Sequence, residues 1–557
     1  MIDSNFHFVV FAAMLFFLYA EIHYSFKGIH SRLKKKEPEI IADTPHRIDR
    51  AKPIPVLLLI KDADKYPIKL HSVRIEMSGP EQTSQFEFNF NSLAITDGMW
   101  HKILQIHPAP DVQGQCTLDV KICCSRNGKE HLIENDNYTG TSHAPLEMYV
   151  SDHELPNTEN WYFGEFHCHT SYTNDQVEFG APLDATAMLA KSMGLSFYCA
   201  TDHSYDLDDH LNDFLKRDPH FPKWSSLLSE VQNFNQGNGD FVIVPGEEVS
   251  AGNSKGRNVH LLILNHSQFV PGDGDGAEKW FRTKPTLTIN QILDRLGKEA
   301  VTYAAHPCDS PPFLQWLLIH RGKWSRQDVS RPELDGLQIW NGTEKGLEEG
   351  KKLWVHLLLQ GRRMFISGGN DAHGNFSRFR QIGLPFFTMR ENHTHLFGKV
   401  RTGVYLKNGL SLHALLDAIK HGRAVITDGP FVDLCLTNEN SRKTRAGEAI
   451  FGRTLQLNAE CRSSPEFGKL KQLAIYCGDL VRRQEYCFDS ITQFASEFSH
   501  MEEKELKQVS KPSYIRAELI SENHGQIHRC FTNPIWVNKN PKGEHLANRN
   551  LLQSKFL

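Results

Sequence analysis

The central part of the chain alternates between short apolar segments typical of β-strands and longer segments with helical periodicity. The alternation begins with 163-FGEFHC-168 and 182-PLDATAMLAKSM-193 and continues to 364-MFISGGNDAH-373. Apolar strands that alternate with helices indicate βαβ units, in which parallel strands are covered by helices. About seven such strands are enough to close a barrel. The sequence therefore predicts an α/β fold for this region.

The regions on either side of this central part have a different sequence pattern. Short β segments separated by turn residues, such as 72-SVRIEM-77 and 117-TLDVKIC-123, precede the central part, and similar β segments follow from 424-AVITDGPFVDLCL-436 onward. Short strands without long helical periods favour antiparallel sandwiches. The predicted parts are residues 1–52 as an apolar segment and charged linker, 53–157 as a β-sandwich-like domain, 158–424 as the barrel, 425–540 as a C-terminal β-rich domain and 541–557 as a tail.

Composition narrows the class of partner. The 557 residues are 40% hydrophobic and 23% charged, with a formal net charge of -4. These values are ordinary for a globular protein and give no global basic field for a polynucleotide. Eleven cysteines form no visible disulfide framework, which favours a reducing compartment. We therefore expect a small-molecule substrate and no nucleic-acid partner.

An apolar run, 8-FVVFAAMLFFLYA-20, lies near the start of the sequence and is followed by basic residues between positions 27 and 36. The run is short for a membrane span, and Asp3 stands where a signal peptide carries basic residues. If the run inserts, the positive-inside rule keeps the remainder in the cytoplasm. We expect a cytoplasmic protein whose residues 6–20 either associate with a membrane or form a buried or interfacial helix.

Histidine and carboxylate side chains recur at the ends of the predicted strands. In 164-GEFHCHTSYTNDQ-176, strand alternation points His167 and His169 to one face. The residues that follow at later strand ends are Asp202, His203, Glu247, His260, His306, Asp371 and His373. Barrel enzymes place their chemistry at this rim, and imidazole and carboxylate ligands without thiolate suit zinc, manganese or iron. So many ligands predict more than one divalent ion.

The order of these motifs, HxH, TDH, a glutamate after an apolar strand, His, HP and DxH, resembles the polymerase and histidinol phosphatase (PHP) superfamily over about residues 161–427. The segments 369-GNDAHGNFSRFRQIG-383, 423-RAVITDGPFVDL-434 and 531-FTNPIWV-537 are similar to the branch that contains carbamate-ester hydrolases, CehA/McbA-like. The resemblance implies a distorted seven-stranded β/α (TIM-like) barrel flanked by N- and C-terminal β-sandwich-like modules, with three metal ions per chain.

The resemblance also implies a ligand set. In this set, His167, His169, Glu247 and Asp371 hold one ion, Glu247 with His260 and His306 holds a second, and Asp175, His203 and His373 hold the third. Asp175 comes one residue later than the aspartate of relatives, where this chain has Asn174. Glu248 competes with Glu247 for the bridging role, but the first acid after 245-PG-246 better matches the family pattern. Asp202 is expected to orient a ligand histidine.

Arginines flank the ligand segments, and a guanidinium can hold a phosphoryl or carboxylate group in a bidentate way. Arg257, Arg378 and Arg380 are therefore the predicted substrate-binding residues, and Asp202 and Arg257 are the predicted catalytic residues. The alternative for the arginines is a set of solvated loop residues.

The leading hypothesis for function is a multinuclear metal-dependent hydrolase in which a metal-bound hydroxide attacks a phosphoester. One alternative is a carboxyl or carbamate ester hydrolase that uses the same ions as Lewis acids. The other is a non-catalytic protein that binds a ligand such as a glycan. Fold alone does not decide the substrate.

Overall fold

A computed structural model of the chain describes residues 37–538, except 50–51, 138–142, 175–179, 212, 275–282, 312, 319, 379–380, 385–386, 391–394 and 508–510. The predicted site residues Asp175 and Arg380, the apolar run 8–20 and the tail 541–557 lie outside the described residues.

The first part is a β-sandwich, which we call the N-terminal sandwich. Its strands are β1 (Glu39–Asp43), β2 (Arg47–Asp49), β3 (Ile54–Lys61), β4 (Ile68–Ser78), β5 (Thr83–Ile95), β6 (Met99–Ile106), β7 (Gly114–Arg126), β8 (Lys129–Glu134) and β9 (Leu146–Ser151). One sheet has the order β1-β3-β6 and the other β2-β9-β7-β4-β5, with β8 beside β7. Buried residues alternate along β7, and one apolar cluster joins both sheets. The sandwich begins before residue 53 because β1 and β2 belong to it.

The central part contains fourteen described strands and seven described helices. The strands are β10 (Trp161–His169), β11 (Phe197–Ala200), β12 (Asp209–His210), β13 (Asp213–Arg217), β14 (Val242–Gly252), β15 (Asn258–Leu264), β16 (Val301–Ala304), β17 (Gly336–Asn341), β18 (Phe365–Gly369), β19 (Ala372–His373), β20 (Gln381–Leu384), β21 (Phe387–Arg390), β22 (Arg401–Tyr405) and β23 (Ala424–Thr427). The helices are α1 (Leu183–Ser192), α2 (Ser204–Leu207), α3 (Pro222–Gly237), α4 (Ile289–Leu293), α5 (Phe313–Leu318), α6 (Leu347–Leu359) and α7 (Leu412–Lys420), with a 3-10 turn at Asp328–Ser330.

The last part is again built from strands. They are β24 (Phe431–Asn438), β25 (Lys443–Arg445), β26 (Ala449–Phe451), β27 (Thr454–Arg462), β28 (Lys469–Asp479), β29 (Gln484–Ile491), β30 (Ser499–Lys507), β31 (Ser513–Asn523), β32 (Gln526–Thr532) and β33 (Ile535–Asn538). One sheet has the order β25-β24-β27-β30, and the remaining strands extend the central sheet. Buried side chains of both sheets, such as Leu457 and Leu519, share one apolar core.

The predicted fold class is wrong for this chain. Strands account for 47% of the structure and helices for 14%, which does not fit an α/β fold with a helix-covered β/α barrel. Apart from the two-stranded sheets β12-β13 and β20-β21, the central strands belong to a mixed 16-stranded sheet that runs from β18 through β10 to β29. Strands β14, β15 and β16 are antiparallel neighbours. Fully buried strands look alike in parallel and antiparallel sheets. The helical periodicity of 288-TINQILDRLGKE-299 also predicts a longer helix than the five-residue α4 that forms there.

The predicted localisation is also corrected. No helix within the described ranges is both long and apolar enough to cross a membrane. The run 8–20, on which the prediction of a membrane-associated cytoplasmic protein depended, lies outside those ranges. The prediction is therefore not retained.

A buried carboxylate fixes the N-terminal sandwich to the segment that follows β19. Asp43, at the end of β1, accepts hydrogen bonds from the backbone nitrogens of Phe376, Ser377 and Arg378 at 2.8, 3.0 and 3.1 Å. The residue is 1% exposed, so water cannot replace these bonds. The sandwich therefore helps to hold the chain just beyond His373.

Replacing Asp43 with Ala should destabilise the protein by about 2–3 kcal/mol, because three buried backbone donors lose their acceptor. The free energy of unfolding, measured by urea denaturation, tests this. Asp97→Ala, an exposed site in the same sandwich, is the control and should change it by less than about 0.5 kcal/mol. Equal unfolding midpoints for both variants would contradict the assigned role of Asp43.

Candidate metal centre

The two histidines of the HxH motif converge as strand alternation predicts. His167 and His169 lie at the end of β10 and are buried. His169 Nε2 lies 2.9 Å and His167 Nε2 lies 3.4 Å from Asp371 Oδ1. The register of β10 with β19 sets His169 opposite His373, and the two rings stack with centroids 4.0 Å apart.

Glu248, in β14, is the centre of the cluster. Its carboxylate oxygens lie 2.6 Å from His260 Nδ1, 2.9 Å from His203 Nδ1, 3.3 Å from His167 Nε2 and 3.4 Å from His306 Nε2. Burial by itself would raise the pKa of Glu248, but the charges of His260 and His167 and the histidine hydrogen bonds outweigh it and hold that pKa well below its usual range. The carboxylate is thus a buried anion surrounded by imidazoles.

The predicted bridging ligand Glu247 is corrected to Glu248. Successive residues of a strand point to opposite faces, so Glu247 points away from the histidine cluster. Its carboxylate accepts hydrogen bonds from the Ser204 hydroxyl and the Val270 backbone nitrogen, both at 2.9 Å. Burial raises the pKa of Glu247 to about 8. Position after the PG pair does not reveal which acid faces the site, whereas the register of β14 does.

Two site residues occupy the left-handed backbone region, which is uncommon outside glycine. His306 has a φ of 29° and Asp371 a φ of 54°. The Asp371 backbone nitrogen donates to the His167 carbonyl oxygen at 2.8 Å, which ties this unusual conformation to β10. His373 Nδ1 donates to the Asp371 carbonyl oxygen at 3.0 Å. Unusual conformations held in place by neighbours are concentrated at functional sites.

Sequence reasoning missed two residues that contact the cluster. Gln338, in β17, accepts a hydrogen bond from His167 Nδ1 at 2.9 Å, which leaves Nε2 directed at the carboxylates. Arg321 places a guanidinium nitrogen 3.1 Å from His260 Nδ1. A polar residue inside the apolar strand 336-GLQIWNG-342 was the available signal for Gln338. Arg321 follows α5 and carried no comparable signal.

Asp202 does not have the predicted role. Its carboxylate accepts hydrogen bonds from the Thr170 nitrogen and hydroxyl at 2.7 and 2.8 Å and from the Thr173 nitrogen at 2.9 Å. Within the described residues, its side chain contacts the turn after the HxH motif and no histidine. The Thr173 hydroxyl in turn lies 3.4 Å from His169 Nδ1. Asp202 therefore fixes the turn, in place of the predicted catalytic and histidine-orienting roles.

The predicted arginines are dispersed. Arg378 is buried, with its Nε 3.5 Å from Asp43 Oδ2, so the structure gives it a contact to the N-terminal sandwich in place of the predicted substrate contact. The Arg257 guanidinium lies 4.4 Å from the centroid of the Trp316 ring and donates to the Trp316 carbonyl oxygen at 2.6 Å. These contacts place Arg257 in a neighbouring cleft, which corrects its predicted catalytic role. Arg380 lies outside the described residues.

The donor set fits divalent transition metals. Three groups have ligand atoms within 4.8 Å of one another: His169, His203 and His373; His167, His169, Glu248 and Asp371; and His203, Glu248 and His260. The buried Nε2 atoms of His167 and His306 lie 3.3 and 3.4 Å from a Glu248 oxygen, so the three atoms could share a metal ion. Imidazoles and carboxylates without thiolate suit zinc, manganese or iron. Whether the predicted ligand Asp175 joins a group stays a prediction.

Comparisons with known proteins identify no family. No family model matches the chain, and no curated protein matches it. Among solved structures, it is similar to a β-glucuronidase from Parabacteroides merdae at 6% identity and a TM-score of 0.17, covering 91% of this chain and 64% of that one. For a β-glucuronidase from glycoside hydrolase family 2, the identity is 9% and the TM-score 0.18, and the match covers 91% of this chain and 50% of that one.

A cycloisomaltooligosaccharide glucanotransferase from Paenibacillus sp. gives 8% identity, a TM-score of 0.16 and coverage of 89% of this chain and 71% of that one. The chain thus spans less than two thirds of the two glucuronidases described. TM-scores this low do not indicate a shared fold, so function has to be argued from the site itself.

The correction from Glu247 to Glu248 can be tested by metal content. Glu248→Gln should remove most bound transition metal, because the amide carries no charge to offset the ions. Glu247→Gln, the adjacent and isosteric control, should keep its metal. Elemental analysis of protein purified without chelator measures both. Loss of metal in Glu247→Gln alone would restore the original assignment.

The role of Gln338 gives a second test. Gln338→Leu has a similar volume but cannot accept the His167 hydrogen bond, so metal affinity should fall by about 10- to 100-fold. Competition with a chelator measures the affinity. The exposed Gln360→Leu should behave like the parent, and a parental affinity in Gln338→Leu would show that His167 needs no such partner.

Proposed function

We propose that the protein is a metal-dependent hydrolase of ester bonds and that its substrate is a phosphoric ester. The observation that carries the proposal is the buried cluster in which the imidazoles of His167, His203, His260 and His306 face the carboxylate of Glu248. The motif order that resembles the PHP superfamily supports the same interpretation.

The residues that would hold the ions are those of the cluster: His167, His169, His203, Glu248, His260, His306, Asp371 and His373. Zinc, manganese or iron bound there would supply Lewis acidity toward a substrate oxygen and would make water easier to deprotonate. The chain's own contribution is to fix the ligand positions. Gln338 holds the His167 ring at 2.9 Å, and Asp202 holds the turn that follows His169.

Charge favours a phosphoester over an uncharged ester. Arg321 reaches the edge of the cluster beside His260, where its guanidinium could contact a phosphoryl group held at the ions. A guanidinium strengthens binding of a phosphoryl oxygen through charge-assisted hydrogen bonds, which are about twice as strong as neutral ones. A carbonyl ester offers no comparable anion for the Arg321 guanidinium to bind.

A substrate panel tests the proposal. Metal-replete protein should hydrolyse aryl phosphate mono- or diesters faster than aryl acetate or aryl carbamate, and a chelator or Glu248→Gln should lower the rate by at least about 100-fold. Arg321→Gln should lower phosphoester kcat/KM by about tenfold or more, since one charge-assisted contact contributes about 1.5–3 kcal/mol. Glu247→Gln is the control for loss of an acid in β14.

Two outcomes would contradict the proposal. A preference for aryl carbamate or acetate, with Arg321→Gln like the parent, would assign carbamate- or carboxyl-ester hydrolysis. Tight metal binding without turnover of any ester would assign a non-catalytic ligand-binding role.

A further inference from the structure

A cleft of about 550 Å³ is lined in part by Trp324, which contacts the backbone of the metal-centre residue His260. Its walls include Lys255, Arg257, Ser310, Trp316, Lys323 and Trp324. We call it the basic cleft, because its lining residues in the described part of the chain include three cations and no carboxylate. This is a local excess of positive charge in a chain whose formal net charge is -4.

The three cations are available to a ligand. Lys255 and Lys323 are exposed, and Arg257 is half-buried. Within the described ranges, no carboxylate forms an ion pair with any of them; Asp309 interacts electrostatically with Lys323 only from beyond ion-pair distance. The Trp316 ring and carbonyl oxygen fix the Arg257 guanidinium in place. Cations that share a concave surface without an anion attract an anionic ligand.

The basic cleft shares a wall with the metal ligands. Trp324 Nε1 donates to the His260 carbonyl oxygen at 3.1 Å, and the Trp324 backbone nitrogen donates to the carbonyl oxygen of Pro307, next to His306, at 3.2 Å. Arg321, which contacts His260 Nδ1, is separated from the lining residue Lys323 by one residue. The basic cleft therefore lies beside the segments that carry His260 and His306.

One side of the basic cleft also offers apolar surface. Trp316, which lines the cleft, is 42% exposed, and the 63% exposed ring of Phe313, outside the lining, stacks on it with centroids 6.0 Å apart. Both belong to α5. Exposed apolar side chains that lie together form a surface that a ligand can cover. They can contact an apolar group while the neighbouring cations bind its charge.

We infer that the basic cleft binds a second anionic group of the substrate, carried on an apolar and preferably aromatic group, at a distance from the ester that is hydrolysed. That the bound molecule is a substrate rests on the proposed function. That the basic cleft binds an anion rests on the residues of the cleft alone. The recognised chemistry is a carboxylate, sulfonate or phosphate next to a ring. The substrate would therefore carry negative charge at both ends.

Equilibrium binding tests the anion site without requiring turnover. The probes are naphthalene-2-sulfonate and its neutral counterpart 2-naphthalenemethanol, titrated into the full chain by calorimetry. The parent should bind the sulfonate at least about tenfold more tightly, because one charge-assisted contact corresponds to about a tenfold change in affinity or more. Lys323→Ala and Arg257→Gln should each remove most of this preference.

Lys407→Ala, an exposed lysine outside the basic cleft, is the matched control and should keep the preference. Equal affinity for the two probes in the parent would overturn the inference, as would a parental preference in both Lys323→Ala and Arg257→Gln. Because Lys323 is exposed, its variant is expected to fold even if the Arg257 variant does not. Selective sulfonate binding in a protein that hydrolyses no ester would refute the proposed function and leave the anion site standing.

Discussion

The arrangement of the site depends on one buried anion. Glu248 is fully buried, and an uncompensated carboxylate in such a place costs several kcal/mol. Four imidazoles from β10, β15 and the segments after β11 and β16 lie within 3.4 Å of it. These imidazole contacts, together with any bound metal ions, offset that cost. The strands and segments that meet here are thus joined through a single carboxylate.

Surrounding polar contacts keep this convergence rigid. Glu165, one strand position before Phe166 in β10, accepts hydrogen bonds from the backbone nitrogens of His167, Asn370 and Gly398, which joins β10 to the segment that carries Asp371. From further away, Asp43 of the N-terminal sandwich holds the chain beyond His373. An accessory sandwich therefore contributes to the geometry of a site that it does not line.

The electrostatics of the site and of its surroundings have opposite signs. The cluster combines two carboxylates with histidines, whereas the charged residues that line the basic cleft in the described part of the chain are all cations. An anionic substrate is attracted to the cleft and would be repelled by Glu248 and Asp371 without metal. Bound ions would reverse that repulsion. This division explains why metal loading and anion binding can be measured separately.

The sequence by itself determined which residue types gather at the site. Period-two alternation predicted that His167 and His169 share a face, and the order of His and Asp at strand ends predicted that His203, His260, His306 and Asp371 would meet them. Tertiary structure alone decided the rest. Glu248 rather than Glu247 faces the histidines, because the register of β14 decides which of the two points to the site. Arg378 contacts the buried carboxylate of Asp43. Arg321, which follows α5, contacts His260. The strand directions of β14 to β16, and with them the fold class, also depended on long-range pairing, which local periodicity does not encode.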